Sequence, residues 1–215
     1  MLREIVSNEW FTIFIVFGLV LITMSKFLFA KRFEDFLQVI GNSKYLKIYE
    51  RDQKFIDGFD TLLFLNLVFG AATFSYIAYS TVISPIKFEI ITFLKVVFGV
   101  AALILMKVLF ERLIASLFEI DRIIDSYLFQ KTSYLNFSGF ILLPINVLLI
   151  FTLEPSKTII YIVLAILLLI NLIGLFTSFK NYQKLIINNL FYFILYLCAL
   201  EIGPYLILYK LIIEY

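Results

Sequence analysis

The sequence predicts an all-α fold: a bundle of six transmembrane helices, with amphipathic helical segments on the cytoplasmic side and both termini in the periplasm. Three observations predict it. The 215 residues are 62% hydrophobic and only 16% charged, where a soluble domain carries about 25% charged residues. The apolar residues gather in runs of about 20, the length that crosses roughly 30 Å of hydrocarbon as a helix. The basic residues are unevenly shared between the two sides that those runs define. All 215 residues read as one integral membrane domain.

The first run spans 10–30. Arg3-Glu4 and Glu9 do not make a positive leader region and no small-residue cleavage site follows, so this is a retained span. Residues 31–57 form the longest polar connection. Phe33, Phe36, Leu37 and Ile40 fall on one helical face, opposite Lys31, Arg32, Glu34 and Asp35, and Gly41-Asn42 stops the helix. Such a helix could dock a partner; a connector lying in the headgroup plane is the simpler expectation. The second span is 58–80, with Asp60 at its start and Asn66 inside. Ser84-Pro85 makes a turn into the third span, 88–110.

Beyond the third span, Leu113, Leu117, Ile120, Ile124 and Leu128 continue a stripe through charged residues, making 111–135 a second amphipathic cytoplasmic segment. One helix over 88–128 would be about 60 Å long and would project beyond the bilayer or bend along it. The fourth span, 137–153, contains Pro144 and Asn146. The tight turn Glu154-Pro155-Ser156-Lys157 makes it an antiparallel hairpin with the fifth, 158–179, which is featureless apart from Asn171 and Gly174. The sixth span is 190–210. Trp10, Tyr79, Tyr134, Tyr161, Tyr182 and Tyr209 sit near span ends, as interfacial aromatics do. Thirteen Lys and Arg residues fall on the side holding 31–57 and four on the other, which makes the richer side cytoplasmic. The two halves show no common pattern, so no inverted repeat is expected.

Chemistry concentrates in the sixth span, where Glu201 lies near the middle and Gly203-Pro204 breaks the helix just after it. An ionisable residue at the helix centre costs about 2.5–3.5 kcal/mol on insertion scales and marks a candidate functional site. Glu201 lies about 13 Å, and Lys95 about 12 Å, from the same side at helical rise. Their matched depth suggests an intramembrane ion pair; the rival reading has Lys95 snorkelling outward and Glu201 protonated. Asn66, Pro144, Asn146 and Asn171 are secondary intramembrane positions, the asparagines most simply serving as interhelical glue. With no histidine and one cysteine, Cys198, the chain has no intrachain disulfide, no His- or Cys-based metal site and no Ser-His or Cys-His catalysis. Phosphate loops and hydrolase motifs are absent from the sequence. No catalytic residue and no cofactor are expected, and no basic tract suggests nucleic acid.

The stretch LYLCALEIGPYLILYK, with Glu201, Gly203, Pro204 and Tyr209-Lys210, resembles the carboxyl end of an uncharacterised family of Bacteroidetes-type polytopic membrane proteins, a domain of unknown function. The resemblance in length and span layout covers most of the chain and implies a bacterial inner membrane; it brings no activity. The expected role is non-enzymatic: a subunit or assembly factor of a larger envelope complex, by analogy one of secretion or gliding. Its partners would be the bilayer and other membrane proteins, with a homo-oligomer open. The alternative is a small transporter or proton-coupled channel built on Glu201 and the broken sixth helix.

Overall fold

The computed structural model describes residues 9–41, 44–50, 57–84, 88–117 and 121–188. Every regular element among them is helical: α1 (Glu9–Leu28), α2 (Ala30–Leu37), α3 (Lys44–Tyr49), α4 (Gly58–Val82), α5 (Ile90–Leu117), α6 (Asp121–Phe151) and α7 (Lys157–Asn188). Five of them, α1, α4, α5, α6 and α7, are long and apolar enough to cross a membrane. That is the mark of a multi-pass membrane protein. The expected sixth span, with Glu201, Gly203 and Pro204, lies outside the described residues.

Local chemistry sets the helix ends. Glu9 places an acid in the first turn of α1 and Lys26 a base in its last, each matching the helix dipole. At Phe29 the backbone leaves helical geometry, and α2 starts at once on a new axis. Asp57 caps α4 from an extended backbone, its carboxylate accepting from the Phe59 amide at 3.2 Å. The Glu154-Pro155-Ser156 turn falls where the sequence placed it, between α6 and α7.

The five long helices alternate in direction, so α4 and α6 run parallel and form the centre. Gly139 of α6 explains how closely they approach, since a Cβ there would lie 2.6 Å from the Leu67 Cα of α4. Small residues let helix backbones approach in this way in membranes. Gly174 of α7 likewise receives the ring of Tyr134, which a Cβ would meet at 2.6 Å. At one end of the bundle α1, α4 and α5 meet through rings, with Phe14 stacked on Phe93 at 4.2 Å and Phe11 edge-on to Phe88 at 5.0 Å. At the other end Phe33, Phe36, Val39, Tyr45 and Leu46 of the α2–α3 segment join Phe59, Phe129 and Phe137 in one core cluster.

Three expectations change here. Part of the expected apolar face of α2 packs against the protein itself. Phe33, Phe36 and Val39 are buried, whereas Leu37 and Ile40 are exposed. The stripe beyond the third span does not continue as one helix: α5 ends at Leu117, and α6 starts at Asp121 and runs back along it. Residues 121–135 are therefore the first half of a 31-residue helix, about 46 Å long. Finally, Tyr134 is a core residue and not an interfacial one; its hydroxyl donates to the Val39 carbonyl at 3.2 Å.

Candidate functional site

Three asparagines of the central helices make crosslinks between helices. Asn66 of α4 donates to the Gly139 carbonyl of α6 at 3.1 Å, and Asn146 of α6 donates to the Gly70 carbonyl of α4 at 2.9 Å. A mid-helix carbonyl has a second lone pair, and a glycine leaves it reachable from the neighbouring helix. Asn171 of α7 donates to the Ser138 hydroxyl at 3.1 Å and to its own Leu167 carbonyl at 2.8 Å. Three of the four secondary positions, Asn66, Asn146 and Asn171, thus sit in the interface of α4, α6 and α7. Pro144 does not join them. It is two residues, about 200°, from Asn146 on the helix, and it is exposed.

Gly18 of α1 closes over Asn66 and Leu143, leaving a small cleft lined also by Phe14, Phe69, Thr73 and Asn146. Its volume admits about one water molecule. Lys95 is exposed on α5. Its expected partner Glu201 and the helix break at Gly203-Pro204 lie outside the described residues.

A charged cluster that the sequence did not single out stands where α2 and α3 meet the start of α4. The Arg32 guanidinium binds the carboxylates of Asp57 and Asp60, the latter at 2.9 Å. It lies 4.7 Å from the Phe59 ring centre and 5.1 Å from that of Tyr49. Tyr49 in turn donates to Asp35 at 3.1 Å, and Lys44 stands 3.8 Å from the same carboxylate. Burial acts to lower the Arg32 pKa, but Tyr45, Asp60 and Asp57 outweigh it and hold the guanidinium above its ordinary value. Burial, then the charge of Asp60, push the Tyr45 phenol well up. Tyr49 is raised by burial and by its bond to Asp35. The cluster fastens the connecting segment to α4, with one guanidinium shared between two carboxylates.

A second charged group joins α5 to α6. Lys131 reaches Glu111 at 2.5 Å, and Arg112 reaches Asp125 at 3.0 Å. The Glu111 side chain is fully buried, and the Lys131 ammonium also lies 5.7 Å from the centre of the Tyr127 ring. Beside it α6 buries Gln130, Ser133, Asn136 and Ser138. Of these, Glu111, Arg112, Asp125, Gln130, Lys131 and Ser133 fall in the expected amphipathic segment 111–135, and Ser138 in the expected fourth span. The available signal was charge order: Glu111 and Arg112 mirror Asp125 and Lys131 about a centre near 120. Among the described residues, no cluster of three or more acids or cysteines is placed to hold a metal ion.

A family model described as "Domain of unknown function (DUF4271)" matches residues 11–212, nearly the whole chain. No curated protein and no solved structure matches it.

Proposed function

We propose that this chain, which belongs to the DUF4271 family, is a non-enzymatic protein of the bacterial inner membrane. Its role would be that of a subunit or assembly factor of a larger envelope complex, of the kind that serves secretion or gliding. The observation that carries this reading is α5. Of its 28 residues only Phe93, Glu111 and Ala115 are buried. The helix is gripped by rings at one end and by ion pairs at the other, and Leu94, Lys95, Phe98, Leu103 and Leu105 face outward between them. A lysine in that face prefers a polar or anionic partner to hydrocarbon. The crosslinking use of Asn66, Asn146 and Asn171 also favours a rigid scaffold over a moving carrier.

The same reading takes 190–210 as a sixth span, both termini as periplasmic and the α2–α3 end as cytoplasmic. Photo-crosslinkers at Leu94, Phe98 and Leu105 in cells, followed by mild-detergent purification and mass spectrometry, test it. One stoichiometric protein partner is the expected result, and crosslinks to lipid alone would overturn it.

A second reading, a small transporter or proton-coupled channel using Lys95, Glu201 and the Gly203-Pro204 break, draws support from the buried polar residues along α6. Purified protein that moves protons or solute in liposomes, and loses this with Glu201→Gln, would favour it.

A further inference from the structure

We propose that the cleft between α1, α4 and α6 is a binding site for one water molecule at membrane depth. The argument starts from Asn146, which is 2% exposed. Its amide orientation is fixed by Gly70, because the carbonyl at 2.9 Å accepts only from the Nδ2 side. Oδ1 therefore points away from that bond, and no donor among the described residues reaches it. A buried amide oxygen left without a donor costs about 1–3 kcal/mol.

The rest of the lining offers acceptors of the same kind. Asn66 gives one Nδ2 hydrogen to Gly139, which fixes its amide, and its Oδ1 lies 3.2 Å from where a Gly18 Cβ would stand. Thr73 donates its hydroxyl proton to the Phe69 carbonyl at 2.8 Å, leaving its lone pairs. Two amide oxygens, which carry no proton, and a hydroxyl whose proton is engaged elsewhere select an occupant that donates. The space takes about one water molecule, and such a site needs two to four polar partners. A bare cation fits less well, since no carboxylate lines the cleft to offset its desolvation.

Glycine at position 18 makes the room. A Cβ there would lie 2.6 Å from the Leu143 Cδ1, the tip of a side chain that can swing aside, and would fill the cleft. The water would then let α1 rest on the α4–α6 pair where the glycine offers no side chain.

Radiolytic hydroxyl labelling of the full chain in nanodiscs tests this, because radicals formed from a bound water mark the side chains beside it. Phe69 and Leu143 should be labelled in the native protein, and lipid-facing Leu168 should not. Gly18→Ala, which keeps both asparagines, should lose that label, as should Asn146→Leu; should the latter fail to fold, the former still decides. Absence of label in the native protein, or label unchanged in Gly18→Ala, overturns the proposal. So does an unfolding temperature that rises with Na⁺ over choline at constant ionic strength, which would make the occupant a cation.

Discussion

Arg32 shows how much one side chain does at the end of the bundle. Two carboxylates and two ring faces hold it. Its loss would leave Asp57 and Asp60 close together and half-buried. Arg32→Met should therefore lower stability by about 2–3 kcal/mol, a value discounted for partial exposure. Arg32→Lys should recover only a part, because an ammonium cannot make the forked pair and stack on a ring at once. Denaturant unfolding in detergent reads both. The two tyrosines beside it give a pH prediction. Both phenols are raised above their ordinary value, so the fold favours the neutral form. That contribution is complete below the unfolded pKa near 10 and is lost as pH climbs through the raised folded values. The unfolding temperature should fall more steeply above about pH 10 in the native protein than in a Tyr45→Phe, Tyr49→Phe variant. Equal slopes would show that these phenols are not the coupled groups.

At the scale of elements, α5 depends on its two ends. Removing one member of the Glu111–Lys131 pair strands a charge against buried surface, typically a loss of about 3–5 kcal/mol, whereas replacing both can be neutral. Glu111→Gln and Lys131→Met should each loosen α5, and Glu111→Leu with Lys131→Met should restore most of the loss. Additive losses in the double variant would show that the two side chains do not act as a pair. The α4–α6 contact is equally specific: Gly139→Ala should cost about 1–3 kcal/mol, since its Cβ meets the Leu67 backbone, which has no room to yield. Hydropathy alone signalled five long apolar helices, though it missed the first half of α6, and Ser84-Pro85 and Glu154-Pro155 marked two of the turns, because apolar length and proline act locally. The break between α5 and α6 was not legible: the residues between Leu117 and Asp121 are Phe-Glu-Ile, with neither glycine nor proline to mark it. Its charge order is a tertiary signal, meaningful only once the two helices lie side by side. The burial of Phe36 and Tyr45 was hidden for a related reason. A helical face that packs on protein reads the same as one that packs on lipid. Of the candidate site, Asn66, Asn146 and Asn171 were visible as polar residues in apolar runs, but not the glycine carbonyls that receive them.

For the whole molecule, alternation of direction fixes which loops share an end. Helices α2 and α3, the end of α5, the start of α6 and the far end of α7 lie together, and the end of α4, the start of α5 and the turn between α6 and α7 lie opposite. On the six-span expectation, thirteen of the eighteen basic residues fall toward the first end and four, Arg3, Lys87, Lys157 and Lys210, toward the second, with Lys95 inside a span. Basic loops stay in the cytoplasm, so the α2–α3 cap should face inward. Five described spans leave residues 9 and 188 at opposite ends. One further crossing by 190–210, a run of adequate length and hydropathy, would return the carboxyl terminus to the side of the amino terminus. Alkaline-phosphatase fusions separate these steps. Fusions at Ser43 and at Asn188 should be inactive, because both join at the basic end. A fusion at Pro155 should be active whether or not the sixth crossing occurs, and so controls for orientation. The fusion at Tyr215 carries the decision. Activity there requires the sixth span; inactivity beside an active Pro155 fusion would leave the carboxyl segment in the cytoplasm. Glu201 would then not share the depth of Lys95, and the intramembrane pair would be excluded with it.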